Sequence, residues 1–213
     1  MVGFDLDLTL VDSRPGIAAV YREMGARTGV DIDAEAAVRR LGPPLEVELG
    51  LWYPSDRVPA MVEMFRSIYP QYGVTTSPAL PGAVEAVAAV RQHGGRVVVI
   101  TGKYDVNARL HVAHLGLIVD GLVGWAWAEG KVVAMRQYGV TVYLGDHPAD
   151  MAAAVAAGAV GVGVTTGDHG ADELTVAGAR TVLASLTEFP DWLDAHLVGV
   201  DGGISVGLPG TDR

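Results

Sequence analysis

The first 13 residues, MVGFDLDLTLVDS, indicate the fold of the chain, because a short apolar run is followed at once by acidic residues. Residues 1–6 predict a buried strand, because an apolar run of this length is typical of strands that are covered on both faces. Asp5 and Asp7 lie at the carboxyl end of that strand. Since ligands bind beyond the carboxyl ends of parallel strands, these two aspartates predict a functional site at that edge of the sheet.

A purely helical segment follows this first strand. Residues 14–77 contain apolar positions at helical spacing and no convincing strand. The predicted helices are one that opens at Ser13 and Pro15 and ends at Gly29, followed by Asp33–Arg40, Leu45–Trp52 and Asp56–Tyr69. We therefore expect residues 14–77 to form an all-α insert.

Apolar strands and helices alternate after the Leu80-Pro81-Gly82 turn. The predicted strands are Arg96–Ile100, Leu117–Val123, Thr141–Leu144 and Val160–Val164. This alternation predicts an α/β fold with a doubly wound, Rossmann-like parallel sheet. We expect its core to comprise residues 1–13 and 78–197. The Gly-rich residues 198–213 are expected to form a flexible tail.

The composition narrows the classes of function. The formal net charge of -10 disfavours a nucleic-acid-binding protein, which needs a broad basic face. The absence of cysteine excludes disulfides and thiolate metal sites. We expect a cytoplasmic protein without a membrane partner, because the start of the chain does not resemble a signal peptide and no apolar run is long enough to span a bilayer.

Several carboxylates are predicted to meet at the carboxyl edge of the sheet. Asp5 follows the first strand, and Asp146 and Asp150 follow a later one. The three charges would repel one another, and their pKa values would rise unless a cation lay between them. Mg²⁺ suits such a group, because it takes oxygen ligands and keeps room for a substrate phosphate.

The remaining polar residues at this edge suit phosphoryl transfer, which needs positioning and charge neutralisation above all. Asp5 is placed to attack phosphorus. Asp7, two residues on, is placed to protonate the leaving oxygen and later to activate water. The expected phosphate ligands are the Thr101 hydroxyl, the Gly102 amide and either Lys131 or Lys103, the two lysines of the chain.

These motifs, in this order, resemble those of the haloacid dehalogenase-like hydrolase superfamily, in its phosphoglycolate phosphatase-like group with a helical cap. The resemblance covers nearly the whole chain except the tail. The matching segments are Asp5–Ser13 for the first motif, Thr101 for the second, Lys131 for the third, and Gly145-Asp146 with Asp150 for the fourth.

The resemblance implies a Mg²⁺-dependent phosphatase for a small phosphorylated metabolite, active as a monomer or homodimer. Asp5 would form an aspartyl-phosphate intermediate, and Asp7 would be the general acid and base. The implied metal ligands are Asp5, the Asp7 backbone carbonyl and Asp146, with Asp150 in support, and the implied phosphate ligands include Thr101 and Lys131. Leu8 stands where the family usually has glycine, so we expect it to crowd the turn.

Two alternatives stay open. A phosphomutase or phosphotransferase keeps both aspartates on the same scaffold, and a catalytically weak binding homologue keeps the fold. A phosphonate-cleaving relative is disfavoured, because residues 14–77 contain no lysine.

Five further side chains are assigned from the sequence. Arg39 or Arg40 is a candidate ligand for a substrate carboxylate or second phosphate. Trp125 and Trp127 are interpreted as packing residues, and His111 as a surface histidine.

Overall fold

The computed structural model describes residues 1–41 and 44–201, and within these ranges six strands form one sheet. The strands are β1 (Val2–Phe4), β2 (Val97–Ile100), β3 (Gly121–Val123), β4 (Val142–Gly145), β5 (Val160–Val164) and β6 (Thr181–Leu183). All neighbouring strands are parallel, and their order across the sheet is β3-β2-β1-β4-β5-β6. The predicted doubly wound α/β class is thereby confirmed.

The first strand lies in the middle of the sheet. Val2 pairs with Val97 of β2 on one side and with Val142 of β4 on the other. The chain builds one half of the sheet after β1 and then crosses to the other side for β4–β6. The carboxyl end of β1 is therefore the point where the strand order reverses, and a ligand crevice is expected there.

The described helices cover both faces of the sheet and form a separate layer beyond its carboxyl edge. They are α1 (Arg14–Thr28), α2 (Ala34–Arg39), α3 (Leu45–Leu49), α4 (Val58–Tyr69) with a π-helical turn at Pro70–Val74, α5 (Ala83–Gln92), α6 (Asp105–His114), α7 (Glu129–Tyr138), α8 (Pro148–Ala157), α9 (Ala171–Val176) and α10 (Phe189–Asp201).

Alternate side chains of β2 enter two different cores. Val97 and Val99 pack in the cluster that includes residues of α5 and α10, whereas Val98 and Ile100 pack in the cluster that includes residues of α7 and α8. All four are fully buried. This two-sided burial explains why the strand is apolar throughout instead of alternating with polar residues.

Helices α1–α4 pack around a hydrophobic cluster of their own. The two ends of this helical insert, which connect it to the sheet, pass very close to each other. A Cβ added to Gly16 would lie 2.1 Å from the carbonyl oxygen of Gly73. The Ser77 hydroxyl donates to the same carbonyl at 2.7 Å. The boundaries of the insert at 14–77, and those of the core, stay predictions.

The structure corrects the predicted secondary structure in the second half of the chain. The strand predicted at 117–123 begins only at Gly121. Leu117 instead closes the end of helix α6, where its N–H donates to the Val112 carbonyl at 3.0 Å. Strand β6 and helices α9 and α10 were not predicted. Helix α10 continues to Asp201, past the predicted start of the tail at 198, and residues 202–213 lie outside the described ranges. None of the described helices has the length and apolarity needed to cross a membrane.

Candidate active site

The carboxyl ends of β1, β2 and β4 meet at a cavity of about 400 Å³ between the sheet and helices α1–α4. Most of the residues predicted from the sequence line this cavity, namely Asp5, Asp7, Thr101, Gly102, Lys131 and Asp146. Asp150 is buried and contacts Lys131. The parallel sheet therefore brings together residues that are far apart in the chain.

A tight loop after β1 carries both predicted catalytic aspartates. Within residues 5–11, the Leu6 carbonyl accepts hydrogen bonds that include one from the N–H of Leu10 at 2.9 Å. Leu8 has a φ of 57°, in the left-handed region that residues other than glycine rarely adopt. The Thr166 hydroxyl donates to the Leu8 carbonyl at 2.5 Å. The crowding predicted at Leu8 thus takes the form of a strained backbone held by a distant side chain.

Three buried carboxylates form a cluster below the cavity. Asp5, Asp146 and Asp150 each contribute an oxygen, and these oxygens lie within 4.8 Å of one another. The Thr9 hydroxyl donates to Asp146 Oδ1 at 3.1 Å. Asp5 Oδ1 is buried and has no hydrogen-bond partner among the described residues. A buried carboxylate oxygen without a partner is costly, so this cluster fits a cation.

The pKa values of the cluster indicate uncompensated negative charge. Burial raises the pKa of Asp146 to about 8, and the charges of Asp5 and Asp150 add to the effect. Burial likewise raises the pKa of Asp5 to about 6, although Lys131 opposes the rise. The repulsion expected from the sequence is present. The donor set fits a hard divalent ion, which prefers carboxylate oxygens.

Lys131 is buried within the carboxylate cluster. Its Nζ lies 2.5 Å from Asp150 Oδ1 and 3.2 Å from Asp5 Oδ2. Burial opposes its charge, but the two carboxylates hold its pKa well above the usual value. The second oxygen of Asp150 accepts from the His147 N–H at 3.2 Å, at the start of α8. Asp150 therefore fixes Lys131 beside Asp5.

Lys103 contacts the other aspartate of the loop. Its Nζ lies 2.9 and 3.2 Å from the two carboxylate oxygens of Asp7. Burial raises the pKa of Asp7, but Lys103 outweighs it and lowers the pKa below the usual value. Each lysine of the chain thus contacts a different aspartate of the loop, and Lys131 is the one placed beside Asp5.

His111, predicted to lie at the surface, lies near the ion pair of Lys103 and Asp7. His111 is fully buried, and its Nε2 is 3.1 Å from the Tyr69 hydroxyl, so the surface assignment was wrong. The Tyr69 ring in turn lies 4.7 Å from Lys103 Nζ. No sequence signal distinguishes His111 from its exposed neighbour His114, because both occupy the same predicted helix and only packing separates them.

The loop after β2 has a buried and an exposed part. Thr101 is buried, and its hydroxyl accepts from the Lys103 N–H at 3.2 Å. Gly102 is exposed and lies against Trp127, since a Cβ added to Gly102 would be 3.3 Å from the indole. Trp125 and Trp127 line the cavity with 56% and 49% of their surface exposed. Their interpretation as packing residues was therefore wrong.

Known proteins resemble the chain in sequence and in fold. The haloacid dehalogenase-like hydrolase family model matches residues 2–154. "Phosphoglycolate phosphatase" of Rhodospirillum rubrum is 30% identical over 223 residues and covers 93% of this chain and 92% of its own length. "Probable phosphatase IndB" of Dickeya dadantii is 29% identical over 208 residues, with coverage of 88% and 90%.

The fold also resembles that of solved structures. A haloacid dehalogenase-like family hydrolase from Streptococcus pneumoniae superposes with a TM-score of 0.76 and covers 92% of this chain and 97% of its own. At 22% identity this likeness shows the fold alone. The family model, in contrast, matches the sequence itself, from strand β1 through strand β4 and into helix α8. The chain therefore belongs to the haloacid dehalogenase-like hydrolases.

Proposed function

We propose that this hydrolase is a Mg²⁺-dependent phosphatase that cleaves a small phosphomonoester through an aspartyl-phosphate on Asp5. The observation that carries the proposal is the buried, unpartnered Oδ1 of Asp5, which lies in the carboxylate cluster beside Lys131. A carboxylate in this position has a neighbouring cation and a free oxygen, as a nucleophile needs. The names of the two relatives that match most of the chain support a phosphatase.

The Mg²⁺ would be held by Asp5, Asp146 and the backbone carbonyl of Asp7, with Asp150 in support. Asp150 has a partner on each oxygen, Lys131 and the His147 N–H, and so suits this supporting position. When bound, Mg²⁺ would supply positive charge that offsets the carboxylates and the substrate phosphate.

The first step would transfer the phosphoryl group to the enzyme. Asp5 forms a bond to phosphorus while the bond between phosphorus and the ester oxygen breaks. Asp7 donates a proton to the leaving oxygen. Lys103 favours ionised Asp7 in the free enzyme, so the anionic phosphate of a bound substrate has to raise the pKa of Asp7 before this transfer.

The second step would release inorganic phosphate. Ionised Asp7 takes a proton from a water molecule as that water attacks phosphorus, and the bond to Asp5 breaks. The ion pair with Lys103 stabilises the ionised form that this step requires. The phosphoryl oxygens would be bound by Lys131, the Thr101 hydroxyl and the Gly102 amide through both steps.

Hydrolysis of p-nitrophenyl phosphate tests the proposal. We expect turnover that requires Mg²⁺ and that falls by at least about a thousandfold in Asp5→Asn. Asp56→Asn is the matched control, because Asp56 is exposed and does not line the cavity. Asp7→Asn is expected to slow the second step, so mass spectrometry of that variant should find a phosphoryl group on Asp5.

Two results would contradict this mechanism. Turnover that persists in chelator excludes the metal, and full activity of Asp5→Asn excludes the nucleophile. A folded, Mg²⁺-binding protein without any turnover would favour the phosphomutase or binding-protein alternatives.

A further inference from the structure

The cationic side chains of the cavity are already paired. Lys103, Lys131, Arg40 and Arg66 are the cationic residues among the described lining residues. The two lysines contact the aspartates of the active site. Arg66 lies 3.1 Å from a carboxylate oxygen of Glu63. Apart from the proposed phosphate ligands, the described residues that line the cavity include no cationic side chain without an ion-pair partner.

Arg40, one of the two arginines predicted as ligands for a second anion, is paired with Glu48. Arg40 Nε and Nη2 lie 3.0 and 2.6 Å from the two carboxylate oxygens of Glu48. The Glu48 side chain is only 8% exposed and also accepts from Trp52 Nε1 at 3.1 Å. A buried carboxylate that loses its partner is costly, so Glu48 competes strongly with any substrate anion. Arg39 is exposed and does not line the cavity.

An exposed indole lies instead beside the proposed phosphate site. Trp127 is half exposed, contacts Gly102, and has its ring centroid 5.4 Å from that of His147. Trp125 and Tyr104 continue the aromatic surface, with ring centroids 5.4 Å apart. The Arg66 guanidinium lies 5.0 Å from the ring centroids of both Tyr104 and Trp125, so the half-exposed Trp127 is the ring that can receive a ligand. An exposed aromatic face in a cavity favours planar, apolar ligands.

Backbone hydrogen bonds hold this aromatic loop against the loop after β2. The Trp125 N–H donates to the Lys103 carbonyl, and the Ala126 N–H donates to the Thr101 carbonyl, both at 2.9 Å. Trp125 and Ala128 have φ values of 56° and 45°. Such strained conformations persist only where the surroundings fix them, and they concentrate at functional sites. Trp127 lies between these two residues in the chain, so its indole is held at a fixed position relative to the proposed phosphate ligands.

We propose that the leaving group of the substrate is uncharged and carries an aromatic ring that stacks on Trp127. The substrate class would be phosphomonoesters of aromatic-bearing alcohols, not phosphomonoesters with a second anionic group. This inference rests on the proposed phosphatase function and adds the substrate class. The Rhodospirillum rubrum relative is named for phosphoglycolate, whose leaving group carries a carboxylate, so we expect this chain to differ from it.

Three substrates with alkoxide leaving groups test the inference without a large difference in intrinsic reactivity. They are benzyl phosphate, ethyl phosphate and 2-phosphoglycolate. We expect kcat/KM of the wild type with Mg²⁺ to be about tenfold higher for benzyl phosphate than for either of the others, the size of one good aromatic contact. A wild type that prefers 2-phosphoglycolate would overturn the inference.

Two variants separate stacking from charge. Trp127→Ala should lower kcat/KM for benzyl phosphate about tenfold and change that for ethyl phosphate less than about twofold. Glu48→Gln removes the negative charge that holds Arg40 and should raise kcat/KM for 2-phosphoglycolate about tenfold. Glu35→Gln is its matched control, because it removes the same charge from the Arg22 ion pair of the insert, which does not line the cavity. Equal losses for benzyl and ethyl phosphate in Trp127→Ala would also overturn the inference.

A binding measurement distinguishes failure of this inference from failure of the proposed function. If neither these esters nor p-nitrophenyl phosphate is hydrolysed, the proposed function is wrong. Calorimetric titration of Asp5→Asn with Mg²⁺ present still reports which ester binds. Tighter binding of benzyl phosphate than of 2-phosphoglycolate, lost in Asp5→Asn combined with Trp127→Ala, would support the inference, and the reverse order would contradict it.

Discussion

Replacement of Asp146 by asparagine is expected to stabilise the metal-free protein and to abolish its stabilisation by Mg²⁺. Asp146 is only 6% exposed, and its pKa is raised from 3.8 to about 8, by burial above all and by the neighbouring carboxylates. Between these two values the folded protein binds a proton that the unfolded chain releases. The free energy of unfolding of the metal-free protein therefore falls as the pH rises through this window.

The two pKa values set the size of the effect. Each pH unit within the window costs about 1.4 kcal/mol, so the penalty is at most about 1.6 kcal/mol near pH 5 and about 5 kcal/mol near pH 7.5. Asparagine has the shape of aspartate, carries no charge, and keeps an oxygen that can accept from the Thr9 hydroxyl. Asp146→Asn should remove the penalty at both pH values.

Urea unfolding in chelator measures the difference. The gain in unfolding free energy of Asp146→Asn over the wild type should be larger near pH 7.5 than near pH 5 by up to about 3.4 kcal/mol. Mg²⁺ should raise the melting temperature of the wild type and of the exposed-site control Asp56→Asn, but not that of Asp146→Asn. An equal gain at the two pH values would show that the charge of Asp146 does not destabilise the fold, as would a variant less stable than the wild type near pH 7.5.

Three further substitutions test the fold and the aromatic surface. Gly16→Ala should destabilise the protein by about 3 kcal/mol in urea unfolding, because the new Cβ would lie 2.1 Å from the Gly73 carbonyl; an unchanged midpoint would contradict the close crossing. Ala128→Gly should stabilise it by about 1 kcal/mol, since Ala128 is exposed and has a φ of 45°; a loss of stability would show that its backbone is unstrained. Arg66→Ala should raise KM for p-nitrophenyl phosphate about fivefold, because Arg66 of α4 lies 5.0 Å from two ring centroids of the aromatic surface. Arg22→Ala, in an exposed ion pair of the insert, should leave KM unchanged, and equal effects of the two variants would argue against a contact specific to Arg66.

Much of the sheet was predictable because its signals are local. The apolar run of β1 and the four consecutive apolar residues of β2 predict buried parallel strands within a few positions. The shortest elements near the end of the described chain were not predicted. Strand β6 has three residues and helix α9 has six, too few to show a clear period.

The partners of the two lysines could not be read from the sequence. Lys103 contacts Asp7 across 96 positions, and Lys131 contacts Asp150 across 19. Either lysine is chemically suited to either carboxylate, and the choice depends on where β2 and α7 place the two Nζ atoms. Local patterns carry no information about such distances.

The fold class and the residues that meet at the carboxyl edge of the sheet follow from local sequence patterns, because parallel strands bring their carboxyl ends to the same edge. Only the packed molecule shows that His111 is buried, that Glu48 neutralises Arg40, and that Trp127 stays exposed beside Gly102. Burial and pairing of these side chains depend on contacts between elements distant in the chain, and no single segment encodes them.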